Sequence, residues 1–335
     1  MKRIAFFLLI AYGLLPSCRF FGKPDYSNLP ADTAQYLTWT DALTKDSNQA
    51  PLLYNRAKYL FGKGYYLKAL YDANRATQLD STNAQYFNLV GNICYTLNKT
   101  KFAAAAYERS VEIDKEYYES YLKLAELYYY VKEYPSALKN YNEALRIQPN
   151  CDRCYFFKGM CYREMTPRKE FYPMALDMFE KAVAINPDYY DAYIQLGELH
   201  DSIKPSLAMA YYEAALRIKP KSTEALYHKA FLFQEMGKND SAGAVYKRIT
   251  DLDPNFIDAY FNVAYMSMQQ KKWQQAIDGF RTVTQLADHA GAYYNLGLCY
   301  EQTHDGAKAI EAYQHCLQVD KTNEEAAQRL KALQK

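Results

Sequence analysis

Apolar positions along this chain recur three, four and seven residues apart, which places them on one face of a helix rather than on a strand. The grouping of those positions itself repeats. Ala69, Ala103, Ala137, Ala175, Ala208, Ala242, Ala276 and Ala309 follow one another at steps of 34, 34, 38, 33, 34, 34 and 33 residues. About twelve residues before them stands a second small series: Ala57, Gly91, Ala125, Gly159, Gly197, Ala230, Ala264 and Gly297. Four residues after the alanine an aromatic recurs (Tyr107, Tyr141, Phe179, Tyr212, Tyr246, Phe280, Tyr313), with Ala73 as the exception. Each unit therefore reads as helix, short turn, helix. The small residues mark where the two helices cross, and the aromatic fills the hole they leave. Pro149, Pro187, Pro220 and Pro254 stop four of the second helices, since proline lacks the N–H that would continue them. No such unit can bury its apolar face alone, so neighbours must stack.

The period resembles the tetratricopeptide repeat, carried by Tyr193, Leu196, Gly197, Ala208, Tyr212, Ala215 and Pro220 and again by Tyr293, Leu296, Gly297, Tyr300, Ala309 and Tyr313. The resemblance implies an all-α fold, a right-handed superhelical solenoid of stacked helix-turn-helix repeats. Eight units are expected over 50–323, bounded as 50–83, 84–117, 118–151, 152–189, 190–222, 223–256, 257–289 and 290–323. A capping helix is expected over 31–49 and another over 324–335, each covering an end of the array. The fourth unit carries four extra residues in its turn, around Thr166 to Pro173, and the fifth is one residue short near Pro205.

The first residues read as an address. Lys2 and Arg3 precede a 12-residue apolar run, Ile4 to Leu15, too short to span a bilayer but suited to a secretory leader. Leu15-Pro16-Ser17-Cys18 then resembles a bacterial lipobox, which implies a leader over 1–17, lipidation at Cys18 and a tether over 18–30. Arg19 follows Cys18 where an inner-membrane lipoprotein often has Asp, so an outer-membrane lipoprotein facing the periplasm is expected. Loss of the leader takes Lys2 and Arg3 from 40 Lys and Arg, leaving 38 against 38 Asp and Glu. A neutral chain is not a strongly basic nucleic-acid binder.

Chemistry is sparse. No P-loop, dinucleotide fingerprint, His-Glu-x-x-His or nucleophile elbow occurs, and His200, His228, His289, His304 and His315 lie apart. The expectation is a protein without catalytic residues, metal or cofactor. Cys151-Asp-Arg-Cys154 with Cys161 can form a local disulfide or exchange thiols, but their helical phase reads mainly as core packing. Cys94, Cys299 and Cys316 occupy core phases too.

In the repeat family the first helices line a concave groove that holds a peptide. Carried onto this chain, those phases give Tyr54, Lys58, Asn88, Asn92, Tyr95, Tyr129, Arg153, Phe156 and Phe157 in the first half, and Tyr227, Phe231, Asn262 and Tyr265 in the second. The second half adds Asp191, Glu198, Asp201, Glu224 and Asp258, so a neutral-to-basic stretch is followed by an acidic one. A carboxylate clamp of the chaperone type is not supported. Asn92 and Arg153 match its placement and Lys123 stands where its middle Asn belongs, but two expected cations are Asn88 and Phe157. Asn amides can bond an extended backbone and aromatics can anchor it. The expected partner is therefore a protein or peptide segment, with a glycan or nutrient as the alternative.

Overall fold

The computed structural model of the chain describes residues 34–165 and 171–334. The expected leader, Cys18 and the tether lie outside the described residues, as do 166–170 of the fourth-unit insertion. Eighteen helices and no strand occur among the described residues, an all-α repeat fold. They form two compact units, divided between Ile185 and Asn186.

The first unit contains α1 (Ala34–Lys45), then four helix pairs: α2 (Ala50–Gly62) with α3 (Tyr66–Leu79), α4 (Ala84–Thr96) with α5 (Thr100–Ile113), α6 (Tyr118–Tyr130) with α7 (Tyr134–Ile147), and α8 (Asp152–Glu164) with α9 (Tyr172–Ile185). Gly91 faces Tyr107, and a Cβ built on Gly159 would lie 2.6 Å from the Phe179 ring. Tyr107, Tyr141 and Phe179 are buried almost completely. The first pair, whose aromatic is replaced by Ala73, buries an ion pair instead. Arg56 Nε and Nη2 donate to Asp72 Oδ2 and Oδ1 at 2.7 and 2.9 Å. In α1, Tyr36 stacks on Tyr59 at 5.1 Å and Leu43 is buried beside Ala50 and Leu53.

The second unit contains α10 (Tyr190–His200) with α11 (Pro205–Ile218), α12 (Thr223–Glu235) with α13 (Asn239–Leu252), α14 (Ile257–Gln269) with α15 (Trp273–Leu286), α16 (Ala290–Gln302) with α17 (Gly306–Val319), and α18 (Glu324–Leu333). Gly197 faces Tyr212, and a Cβ on Gly297 would lie 2.5 Å from Tyr313. Ala326 of α18 is fully buried against Ala309, Tyr313 and Cys316, with Leu330 and Leu333 alongside.

Six first helices end the same way. Gly64, Asn98, Lys132, Gly237, Lys271 and His304 all have positive φ, between 56° and 83°. The N–H of the next residue then reaches five back, as in Tyr65 to the Leu60 carbonyl at 2.9 Å and Lys99 to Cys94 at 2.8 Å. This left-handed stop uses up the last carbonyls and reverses the chain. Among the described residues it is missing from α10, whose following turn is one residue short, while the corresponding position after α8 lies outside the described residues.

The structure corrects the reading of the cysteines: Cys151 and Cys154 are joined by a disulfide. Cys151 caps α8, so its sulfur stands one helical turn from that of Cys154, with the two Cα atoms 5.2 Å apart. Helical phase alone reported burial and missed this proximity. Cys94, Cys161, Cys299 and Cys316 are free and buried. Burial pushes the Cys161 thiol up to about 12 and the Cys299 thiol up to about 11.

Candidate functional site

In the first unit the residues singled out on α2, α4, α6 and α8 divide into a buried layer and an exposed one. Tyr107 O–H donates to Asn92 Oδ1 at 2.8 Å, Asn92 Nδ2 donates to Asn88 Oδ1 at 3.0 Å, and Asn88 Nδ2 donates to Ser120 Oγ at 2.9 Å. Ser120 passes the chain to Ser110 at 2.7 Å, and Ser110 to the Ala84 carbonyl at 2.8 Å. Asn88 is only 8% exposed, so its amide is spent joining one repeat to the next and is not offered to a peptide. Phe156 is likewise buried, tilted on Phe179 at 5.6 Å. Tyr54 is half-buried against Tyr86, its hydroxyl shifted up by burial, while Lys58 is exposed.

What remains open is an aromatic and cationic face. Tyr95 and Tyr130 are 44% and 58% exposed. The Tyr129 ring lies 5.3 Å from Phe157 and 5.4 Å from Tyr130, and burial pushes its hydroxyl up to about 12. The Arg153 guanidinium lies 5.8 Å from the Phe157 ring centre. Beneath them is Glu126, a residue the sequence reading missed. Its buried carboxylate takes Lys123 Nζ at 3.1 Å and Arg153 Nε at 2.9 Å. One buried anion shared by two half-exposed cations leaves one positive charge on this face. Glu126 occupies the helical phase of Lys58 and Asn92, so the signal was present in the sequence. The Tyr141 hydroxyl, fully buried against the parallel Phe157 ring at 6.2 Å, has no hydrogen-bond partner among the described residues.

The second unit presents a different face. Asn262 Nδ2 donates to the hydroxyls of Tyr227 and Tyr246 at 3.2 and 3.1 Å, so this amide too is engaged internally. Tyr227 packs on Phe256 at 5.6 Å, Tyr265 lies parallel to Phe261 at 6.4 Å, and Phe231 is 40% exposed. Glu198 faces Gln195 Nε2 at 3.3 Å and His228 Nε2 at 3.4 Å. Asp201 accepts the Tyr212 hydroxyl at 2.8 Å, and burial raises its pKa. Asp191, Glu224 and Asp258 are exposed, with Glu224 accepting the Tyr190 hydroxyl at 2.8 Å.

Among the described residues no group of three or more His, Cys, Asp or Glu side chains could hold a metal, and no helix is long and apolar enough to cross a membrane.

Models of the tetratricopeptide repeat match residues 118–151, 201–263 and 290–323, so these segments carry tetratricopeptide repeats. Among curated proteins it is similar to protein O-mannosyl-transferase TMTC3 of Homo sapiens, 24% identical over 309 residues, covering 85% of this chain and 33% of that protein. It is also similar to DnaJ homolog subfamily C member 7 of Mus musculus, 24% identical over 340 residues, covering 91% of this chain and 66% of that protein. The chain thus spans between a third and two-thirds of these relatives' length. A solved structure of Pseudomonas aeruginosa pilF matches with a TM-score of 0.53 at 16% identity, covering 68% of this chain and 99% of that one, a likeness of fold.

Proposed function

We propose that this chain is a non-enzymatic scaffold, anchored to the bacterial envelope by a lipid on Cys18, that holds a segment of a protein partner on the first-helix face of its first unit. Tetratricopeptide repeats generally mediate protein–protein interaction and are generally not enzymes, which is the starting premise. The observation that carries the reading is the division of labour on α4, α6 and α8. Asn88, Asn92 and Phe156 serve the interior, while Tyr95, Tyr130 and Arg153 stand exposed beside the half-buried Tyr129–Phe157 pair. Large exposed aromatics beside a guanidinium are the residues that dominate protein interfaces.

The Cys151–Cys154 disulfide supports an extracytoplasmic setting independently of the leader, because disulfides persist where the surroundings are oxidising. A diacyl anchor would raise the scaffold's concentration at the membrane, each buried methylene contributing about 0.8 kcal/mol. The outer membrane, on its periplasmic side, is the location proposed.

The test is capture of a defined partner from envelope extract by the immobilised mature chain, compared with Tyr95→Ala/Tyr130→Ala/Arg153→Ala. These positions are exposed, so the variant should fold, and equal capture by both chains would refute the face. For the anchor, a Cys18→Ala chain that still sediments with membranes after a salt wash would refute lipidation.

A further inference from the structure

The second unit contains a cleft of about 610 Å³ between α15, α16 and α17, distinct from the first-helix residues considered above. We propose that it is a saccharide site, taking a short oligosaccharide that bears one carboxylate. The volume lies within the range of about 300–1,000 Å³ usual for small-molecule sites.

Its floor is apolar and aromatic. Ile277, Leu296 and Ala312 are buried, and Tyr293 and Tyr300 line the same stripe of α16. Seven residues of helix separate the two tyrosines, a rise of about 10.5 Å. That is longer than one pyranose ring, so the floor offers apolar ring surface to more than one sugar. The His315 ring stacks on Tyr293 at 5.3 Å and extends this surface toward α17.

The rim is mixed in a way that selects among ligand classes. Gln274 on α15 gives its amide N–H to Asp278 at 3.1 Å, which leaves its carbonyl to accept, and the Thr284 hydroxyl gives its proton to the Arg281 carbonyl at 3.0 Å. Glu311 faces them from α17, its carboxylate 4.0 Å from His315 Nε2. Acceptors on both walls suit hydroxyls, which both donate and accept. A purely apolar ligand would bury those groups unpaired, at a cost for each.

Charge sets the remaining feature. Lys308 is held by Asp305 at 2.6 Å, and Asp305 also caps α17 through the Lys308 N–H at 3.2 Å. Arg281, exposed on the opposite wall, has no ion pair or side-chain hydrogen bond among the described residues. It is the one cation of the cleft not matched by a neighbouring carboxylate. A bare polyanion would meet Glu311 and Asp305 as well as Arg281, whereas a sugar with a single carboxylate pairs with Arg281 and offers hydroxyls to the rest. Arg guanidinium binds carboxylate in two parallel hydrogen bonds, which fixes the ligand's orientation.

Calorimetric titration of the full mature chain with sialyllactose, a trisaccharide with a single carboxylate, and with maltotriose and inorganic phosphate tests the site. Sialyllactose is expected to bind at least tenfold more tightly than either of the others. Arg281→Ala should weaken it at least tenfold and Gln274→Ala severalfold, while Lys58→Ala on the first unit leaves it unchanged. Both cleft positions are exposed or polar, and circular dichroism verifies that the variants fold. Absence of sialyllactose binding, an unchanged constant in Arg281→Ala, or phosphate binding as tightly as the trisaccharide would each overturn the proposal. Partner capture through the first-unit face is unaffected by any of these outcomes.

Discussion

Asp72→Ala should be among the most damaging single changes in the first unit. The Asp72 side chain is wholly buried and that of Arg56 is 9% exposed, with two hydrogen bonds at 2.7 and 2.9 Å between them. Removing the carboxylate takes from a buried guanidinium the anion that faces it with two hydrogen bonds. Breaking a buried pair on one side costs about 3–5 kcal/mol, whereas replacing both partners by apolar side chains is often neutral or stabilising. The pair joins α2 to α3, beside the end helix α1. In a repeat array stability is a sum over neighbouring units, so the loss should be felt locally. The expected result is a separate early transition in urea, with amides of α1, α2 and α3 exchanging ahead of those of α4 to α9. Urea unfolding followed by circular dichroism, with residue-resolved hydrogen exchange, measures both. The double variant Arg56→Met/Asp72→Leu should recover most of the stability. A single variant losing under about 1 kcal/mol, or a double variant as damaged as the single one, would refute the reasoning.

Other outcomes follow from the same packing. Gly297→Ala forces a methyl into the Tyr313 ring and should cost about 1–3 kcal/mol in urea titration, with Gly306→Ala, whose Cβ meets nothing, as the control. Asn92→Ala leaves the Tyr107 hydroxyl and Asn88 Oδ1 unpaired and should cost about 1–3 kcal/mol by the same measurement, while exposed Lys58→Ala stays within about 0.5 kcal/mol. Asp201 has a raised pKa in the folded chain, so its contribution to stability is present below the ordinary Asp value and is lost as pH rises through the raised one. Asp201→Asn should therefore match or exceed the parent's thermal midpoint near pH 7, relative to their difference near pH 3; the opposite trend would show that the carboxylate is stabilised in its charged form. Alkylating the unfolded, unreduced mature chain should modify four thiols, and six after reduction, provided that Cys18 carries the lipid. Six without reduction would exclude the disulfide.

The candidate site was only half legible. Tyr95, Tyr129, Arg153 and Phe157 were found by helical phase, and the structure brings them to one face. The same phase also selected Asn88 and Phe156, which are buried, and passed over Glu126, which anchors two of the cations. Phase says which stripe of a helix a residue occupies; it does not say what stands opposite. For Asn88 the deciding partner is Ser120, 32 residues away in the next repeat.

The sequence alone determined the helices, their pairing and their stops. The signals are local and recurrent, the small residues in eight units, the facing aromatic in seven and the proline after a second helix in four, so chance variation in one unit does not hide them. Tertiary structure decided which polar side chains are used up between repeats, where a buried carboxylate gathers Lys123 and Arg153, that two cysteines are bonded, and that α15, α16 and α17 leave a cleft. The physical reason is reach. Helix formation and a crossing of two adjacent helices depend on residues within one unit, whereas burial and hydrogen-bond satisfaction depend on whichever side chain the neighbouring unit happens to place there.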